Sequence, residues 1–117
     1  GPGRTVGSSP VLAEEVMHLV NNTTARQAFK IRTTARDRYR VEPSCGILAN
    51  GMACPVRISM VLPHTGTNDK FQVRCAAVEA DTAEAAVRNN KWWSEPWLRT
   101  RIYDATLDST LVTPAEP

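Results

Sequence analysis

Side chains able to attack, ligate or transfer protons are few and scattered in this chain. The cysteines are Cys45, Cys54 and Cys75, and the histidines are His18 and His64. No C-x-x-C, H-x-x-x-H or H-E-x-x-H spacing occurs, so the sequence builds no zinc site. There is no G-x-S-x-G elbow and no glycine-rich phosphate loop. An odd number of well-separated thiols does not make a secreted disulfide framework; they read as small buried thiols of a reducing cytosol. Cys54 and Cys75 fall at inward-facing strand positions. Cys45 falls in a turn with no histidine beside it, so none has the base a nucleophilic thiol requires. The carboxylate pairs Glu14-Glu15 and Glu79/Asp81 lie beside loops and a helix start, where structural roles account for them. The expectation is no catalysis, no metal and no cofactor. Asn21 and Asn22 each head an N-x-T sequon, which without a secretory signal reads as chance.

Binding chemistry is better supplied. Between Arg26 and Glu42, six cations (Arg26, Lys30, Arg32, Arg36, Arg38, Arg40) stand against Asp37 and Glu42, a local +4 in a chain whose net charge is +2. A basic surface of that kind favours anionic partners. Nucleic acid is not expected, because zinc-finger spacing, an aromatic RNP-like run and a basic helix are all missing. The tryptophans are Trp92, Trp93 and Trp97. They serve either as lids on a core or as interface anchors.

The elements that must position these residues are mostly strands. A chain of 117 residues fits one domain able to bury a real core. The longest apolar run, Cys75–Val78, is four residues, against about 20 for a membrane-spanning helix. Period-2 alternation dominates. Cys54, Val56, Ile58, Met60 and Leu62 share one face, with Pro55 placing an edge or bulge at the strand start. Phe29, Ile31 and Thr33 mark a second strand, and Phe71, Val73, Cys75 and Ala77 a third. Val16, His18 and Val20 mark another, Tyr39 and Val41 a short one, and residues 98–103 the last. Asn50-Gly51 is a tight-turn dipeptide. One helix is expected after Asp81, capped by Asp81 with Glu84 as reciprocal partner and ended by Asn89-Asn90. Seven short strands and one helix argue an all-β antiparallel sandwich.

Phe29-Lys30-Ile31-Arg32-Thr33-Thr34, followed by Arg38-Tyr39-Arg40-Val41-Glu42-Pro43-Ser44-Cys45-Gly46-Ile47-Leu48, resembles the MSP domain. This is the family of nematode major sperm protein and of the VAP proteins of the endoplasmic reticulum. Val20–Thr24, Asn68–Val73, the Ala85-Ala86 helix, Trp92-Trp93 and Arg99–Tyr103 extend the likeness. It implies an MSP domain over residues 5–104, after a lead of residues 1–4 that reads as a cloning remnant or disordered, and before a tail of residues 105–117. The family's opening strand is expected to be short or missing.

The resemblance implies an immunoglobulin-like seven-stranded sandwich without catalysis, acting through protein contacts. The leading expectation is self-assembly or cytoskeletal scaffolding, as in the sperm-protein branch. Pro43-Ser44-Cys45-Gly46 looks like that branch's turn, and Pro43 is a candidate for a cis bond. The alternative is a VAP-type receptor for acidic FFAT-like peptides at membrane contact sites. Carried over residue by residue, that peptide site falls on Arg32, Thr33, Thr34, Lys70 and Gln72, completed by Arg99 or Arg101. Gln72 stands where VAP proteins carry methionine and Ser44 where they carry asparagine, which lowers the expected affinity. Either branch places the chain in the cytoplasm, on the cytoskeleton or on the cytosolic side of the endoplasmic reticulum. Membrane attachment is expected only through a region outside this chain.

Overall fold

The computed structural model describes residues 11–63 and 69–108. Its strands are β1 (Ala13–Val20), β2 (Arg26–Thr33), β3 (Tyr39–Glu42), β4 (Cys45–Leu48), β5 (Ala53–Met60), β6 (Lys70–Val78) and β7 (Ile102–Asp108). A single-turn helix, α1 (Glu84–Val87), and two 3₁₀ turns (Trp92–Ser94 and Pro96–Leu98) lie between β6 and β7. The strands form two antiparallel sheets, ordered β1-β5-β3 and β4-β2-β6-β7. This is the all-β, immunoglobulin-like sandwich that the alternation and the resemblance imply.

The core between the sheets follows the period-2 pattern. Val56, Ile58 and Met60 from β5 pack with Phe29, Ile31, Phe71, Val73 and Tyr39. Two ends of the expected β5 face depart from it. Cys54 is half-buried, and Leu62 lies past the strand at 46% exposure. Pro55 faces His18 of β1, at a point that β3 does not reach because its pairing with β5 stops at Glu42–Arg57. The missing N–H of Pro55 therefore leaves no broken ladder, although β5 is the central strand.

β1 corrects the sequence reading. Val16 and Val20 are exposed at 48% and 62%, and the core takes Met17 and Leu19 instead. Register decides this, since Met17 lies opposite the fully buried Val56 and a one-residue slip would invert every side chain.

β6 is buried on alternate faces along its length. Phe71 and Val73 point between the sheets, whereas Ala76 and Val78 belong to a second cluster with Ala28, Val87, Trp93 and Leu98. Ile47, Ala28, Ala76 and Ile102 are in register across all four strands. The segment carrying α1 and the 3₁₀ turns covers this row. Small residues at positions 28 and 76 let that segment lie close to the sheet.

The helix is shorter than expected and lacks the predicted capping box. Its N-cap is Ala83, with no side-chain hydrogen bond. Instead, the Arg26 guanidinium donates to the carbonyls of Glu79, Ala80 and Thr82 at 2.7–3.1 Å. Those bonds hold residues 79–82 in a turn, so Asp81 does not start the helix. The last strand is also displaced. Residues 96–98 form a 3₁₀ turn and β7 begins at Ile102, reaching into the segment read as tail.

Between β3 and β4 the chain passes from one sheet to the other through a cis Glu42–Pro43 bond. Cys45 is the first residue of β4 rather than part of a turn. Gly46 lies against the Phe29 ring, where an added Cβ would sit 2.9 Å from Cε1. The close approach therefore requires glycine. Asn50-Gly51 makes the expected turn, with Gly51 at φ 78°, but it joins strands of different sheets. Asn21 is 4% exposed, donating to the carbonyls of Ala25 and Leu48 at 2.8 Å. It is a structural turn residue, and its amide nitrogen is already committed. All three cysteines are free.

Candidate protein-interaction face

The outer face of the β4-β2-β6-β7 sheet is apolar and covered at one end, then polar and open toward the other. Moving outward from the Ala28–Ala76 row, the next outward-facing row places Cys45, Lys30, Arg74 and Asp104 side by side. The row after it places Arg32, Gln72 and Thr106 together, and Lys70 follows opposite Asp108. Thr34 ties the two strand ends together. Its amide donates to the Lys70 carbonyl at 3.1 Å, and its Oγ1 accepts the Lys70 amide at 3.0 Å. Thr33 Oγ1 accepts the Ala35 amide at 3.2 Å, which turns the chain away after β2.

The structure thus brings together Arg32, Thr33, Thr34, Lys70 and Gln72, residues separated by up to forty positions in sequence. It does not bring Arg99 to them. Arg99 caps the Pro96–Leu98 turn, beyond the Ile102–Ala76 pair, whereas Lys70 lies opposite Asp108 at the other end of β6. Six residues of extended chain separate those ends, about 20 Å at about 3.3 Å per residue. Arg101 is likewise remote. It pairs with Glu79 at 3.3 Å and lies over the Trp97 ring at 5.4 Å.

Charge on this face is graded from strand to strand. Arg74 is held by Asp104 through bonds of 2.9 and 3.2 Å, and that pairing raises the Arg74 pKa. Lys30 donates to Asn90 Oδ1. Its pKa is lowered, first by partial burial and then by the positive charges of Arg32, Arg74 and Arg36. The β2 side is therefore crowded with positive charge, while β7 supplies acid. Beside β2, where β4 has not yet begun, a cavity of about 380 Å³ opens. Lys30, Arg32, Arg36, Tyr39, Val41 and Ser44 are among its lining residues.

Sequence reasoning missed the residue that anchors this region. Asp69 is 5% exposed. It accepts from Arg38 Nη1 at 2.6 and 2.8 Å and from the Tyr39 hydroxyl at 2.8 Å. The available signal was Arg38-Tyr39, adjacent residues of the family pattern that both converge on the position preceding Lys70. Asp104 was missed for a different reason, because β7 was read several residues too early.

The tryptophans serve mainly as a lid. Trp93 is 6% exposed and donates through Nε1 to the Val87 carbonyl at 2.8 Å. Trp92 packs edge-on against both Trp93 and Trp97. Trp97 is 45% exposed. His18 is exposed on β1 opposite Pro55, and His64 lies outside the described residues. Among the described residues, no three His, Cys, Asp or Glu side chains are grouped to hold a metal, and no helix is long and apolar enough to cross a membrane.

Comparison with known proteins agrees with this architecture. A protein from Arabidopsis thaliana, Vesicle-associated protein 2-2, is 32% identical over 74 residues, which are 59% of this chain and 19% of that protein. Among solved structures, SSP-19, an MSP-domain protein-like family member from Caenorhabditis elegans, superposes with a TM-score of 0.65 at 20% identity, covering 85% of this chain and 87% of the other. WR4, an MSP family member from the same organism, gives 0.64 at 18% identity, covering 84% of each chain. The pattern defining the MSP (Major sperm protein) domain matches residues 5–96. The chain belongs to the MSP domain family.

Proposed function

We propose that this domain is a non-catalytic protein-interaction module whose basic outer face recognises an acidic segment of a partner protein. The observation that carries this reading is the convergence of Arg32, Thr33, Thr34, Lys70 and Gln72 at adjacent ends of β2 and β6. The likeness to Vesicle-associated protein 2-2 supports a VAP-type role, with a FFAT-like peptide as ligand on the cytosolic side of the endoplasmic reticulum. Gln72 offers a flat amide and an aliphatic stem to a ligand's aromatic ring, a less apolar contact than methionine. In place of Arg99, the β7 position opposite Gln72 is Thr106. Recognition therefore relies on β2 and β6 more than on the last strand. Titrating the domain with a FFAT-like peptide at two salt concentrations tests this reading: binding should be measurable and should weaken as salt rises.

Self-assembly is the second reading, and β1 favours it. This eight-residue edge strand of the β1-β5-β3 sheet carries Val16 and Val20 outward at 48% and 62% exposure. A long edge with exposed valines is a template for pairing with another copy. Ultracentrifugation of the wild type beside Val16→Lys tests it. Larger species that the substitution removes support assembly through β1, and a strict monomer at high concentration rejects it.

A further inference from the structure

Leu48, Gln27 and Ala77 form one row across the inner side of β4, β2 and β6, and Phe29, Cys75 and Tyr103 form the next across β2, β6 and β7. Gln27 thus continues the core face of Phe29 and Ile31 at a position where the alternation calls for an apolar side chain. Beside it a cavity of about 80 Å³ lies between the sheets. Leu19 of β1, Phe29 and Leu48 give it apolar walls, and Gln27, Cys75 and Tyr103 bring polar groups to it. Val20, which also lines it, and Tyr103 are 62% and 53% exposed, so the cavity opens to solvent on their side.

A chain of hydrogen bonds fixes which end of the Gln27 amide is left over. Asn21 Nδ2 donates to the carbonyls of Ala25 and Leu48 at 2.8 Å. Its Oδ1 accepts the Thr23 amide at 3.0 Å and the Thr23 hydroxyl at 2.7 Å. The Ala25 carbonyl, at 3.1 Å, is the other acceptor within reach of that hydroxyl. Either way the single hydroxyl proton is directed away from Gln27. Thr23 Oγ1 therefore meets Gln27 as an acceptor and takes Nε2 at 3.1 Å. The amide oxygen remains. Gln27 Oε1 is buried, and among the described residues no donor reaches it. A buried acceptor in that condition carries a desolvation cost that a donor would relieve. The terminal amide turns broadly about χ3, so a modest rotation presents Oε1 to the cavity.

We infer that this cavity binds a small, neutral aromatic molecule bearing one hydroxyl or N–H donor, with the donor on Gln27 Oε1 and the ring among Leu19, Phe29 and Leu48. Size sets the class. An apolar cavity of about 150 Å³ takes up benzene. This one is about 80 Å³ but open at Val20 and Tyr103, so a single ring fits with one edge at the mouth. A drug-sized ligand does not, since pockets for those start at about 300 Å³. No charged side chain lines the cavity, which selects a neutral ligand. Burial raises the Cys75 thiol pKa, so that wall stays neutral as well. Phe29 and Tyr103 offer ring contacts and Cys75 a polarisable sulfur. Gln27 stands at the opposite end of β2 from Arg32 and Thr33, so the site is independent of the acidic-partner face.

The test titrates the isotope-labelled chain with phenol and, separately, with toluene, which has nearly the same shape but no donor, and follows chemical shifts. Transfer from water to an apolar environment favours toluene, so a merely apolar crevice prefers toluene, whereas a site with an unpaired acceptor prefers phenol. Phenol should bind with a dissociation constant of about 1 mM and shift Leu19, Val20, Cys75 and Tyr103, leaving Arg32, Lys70 and Gln72 unmoved. Toluene should bind about tenfold more weakly. Gln27→Met keeps the side-chain length and removes the acceptor. In that variant phenol should lose its advantage and toluene should bind at least as well. The wild-type comparison decides the matter even where the variant does not fold. Equal or tighter binding of toluene by the wild type overturns the inference, as do phenol shifts centred elsewhere. Absence of shifts at about 10 mM phenol, roughly ten times the expected constant, overturns it too and would mean that water alone serves Gln27. So does an undiminished preference for phenol in a Gln27→Met chain that still unfolds cooperatively.

Discussion

Arg38 holds Asp69 through two contacts of 2.6 and 2.8 Å, and Asp69, with its side chain 4% exposed, immediately precedes Lys70 of the candidate site. The Tyr39 hydroxyl adds a bond of 2.8 Å to the same carboxylate. The start of β3 is thereby fixed to the start of β6. Asp69→Ala leaves the Arg38 charge and the buried Tyr39 hydroxyl without this acceptor, and removing one partner of a buried pair costs about 3–5 kcal/mol. Urea denaturation should show that loss. A midpoint unchanged from wild type would mean that the carboxylate is not the anchor.

Gly46 gives a sterically opposite case. Alanine there would place its Cβ 2.9 Å from the Phe29 ring. Phe29 sits in the core, so the overlap cannot be relieved by swinging a surface chain away. Gly46→Ala is expected to destabilise by about 1–3 kcal/mol, as overpacking does. The pair Gly46→Ala with Phe29→Leu should recover part of the loss, which thermal unfolding of the four-variant cycle would reveal.

The lid over Ala28 and Ala76 depends on Trp93 and Leu98. Leu98 is fully buried, and Leu98→Ala should cost about 2–5 kcal/mol through cavity formation. Trp93→Phe keeps a ring but orphans the Val87 carbonyl, for about 1–3 kcal/mol. Trp97→Ala, at an exposed position, should change stability much less. Chemical denaturation of the three variants should give that order.

How far these features were legible in the sequence depended on whether a contact is local. β5 and β2 were readable because alternation alone selects Val56, Ile58, Met60, Phe29 and Ile31. β1 alternates equally well on both faces, and only its register against Val56 decides which face is buried. The helix start failed because Arg26, more than fifty residues earlier, holds the 79–82 carbonyls. Within the candidate site, Arg32, Thr33, Thr34, Lys70 and Gln72 were found through the family motif, and the β2–β6 register unites them. Arg99 was misplaced because β7 starts later than its composition suggests. Asp69 went unseen, since a buried acid in a polar loop carries no periodic signature.

Cys75 has a thiol pKa raised chiefly by burial. A raised folded pKa means that the protonated form is favoured in the native state. Its contribution to stability is fully present below the ordinary thiol range and is lost as pH rises through the raised value. Iodoacetamide at mildly alkaline pH should therefore label Cys75 more slowly in the native chain than in the urea-unfolded chain. Equal rates, read by peptide mass mapping, would contradict the burial of this thiol.

Acidic-partner recognition by the β2–β6 face is tested most directly by titration calorimetry of a FFAT-like peptide against the wild type and the double variant Arg32→Asp, Lys70→Asp. The account predicts salt-sensitive binding by the wild type and its loss in a double variant that still unfolds cooperatively. No binding at several hundred micromolar, roughly the weak end of specific recognition, or equal binding by both proteins, would contradict it.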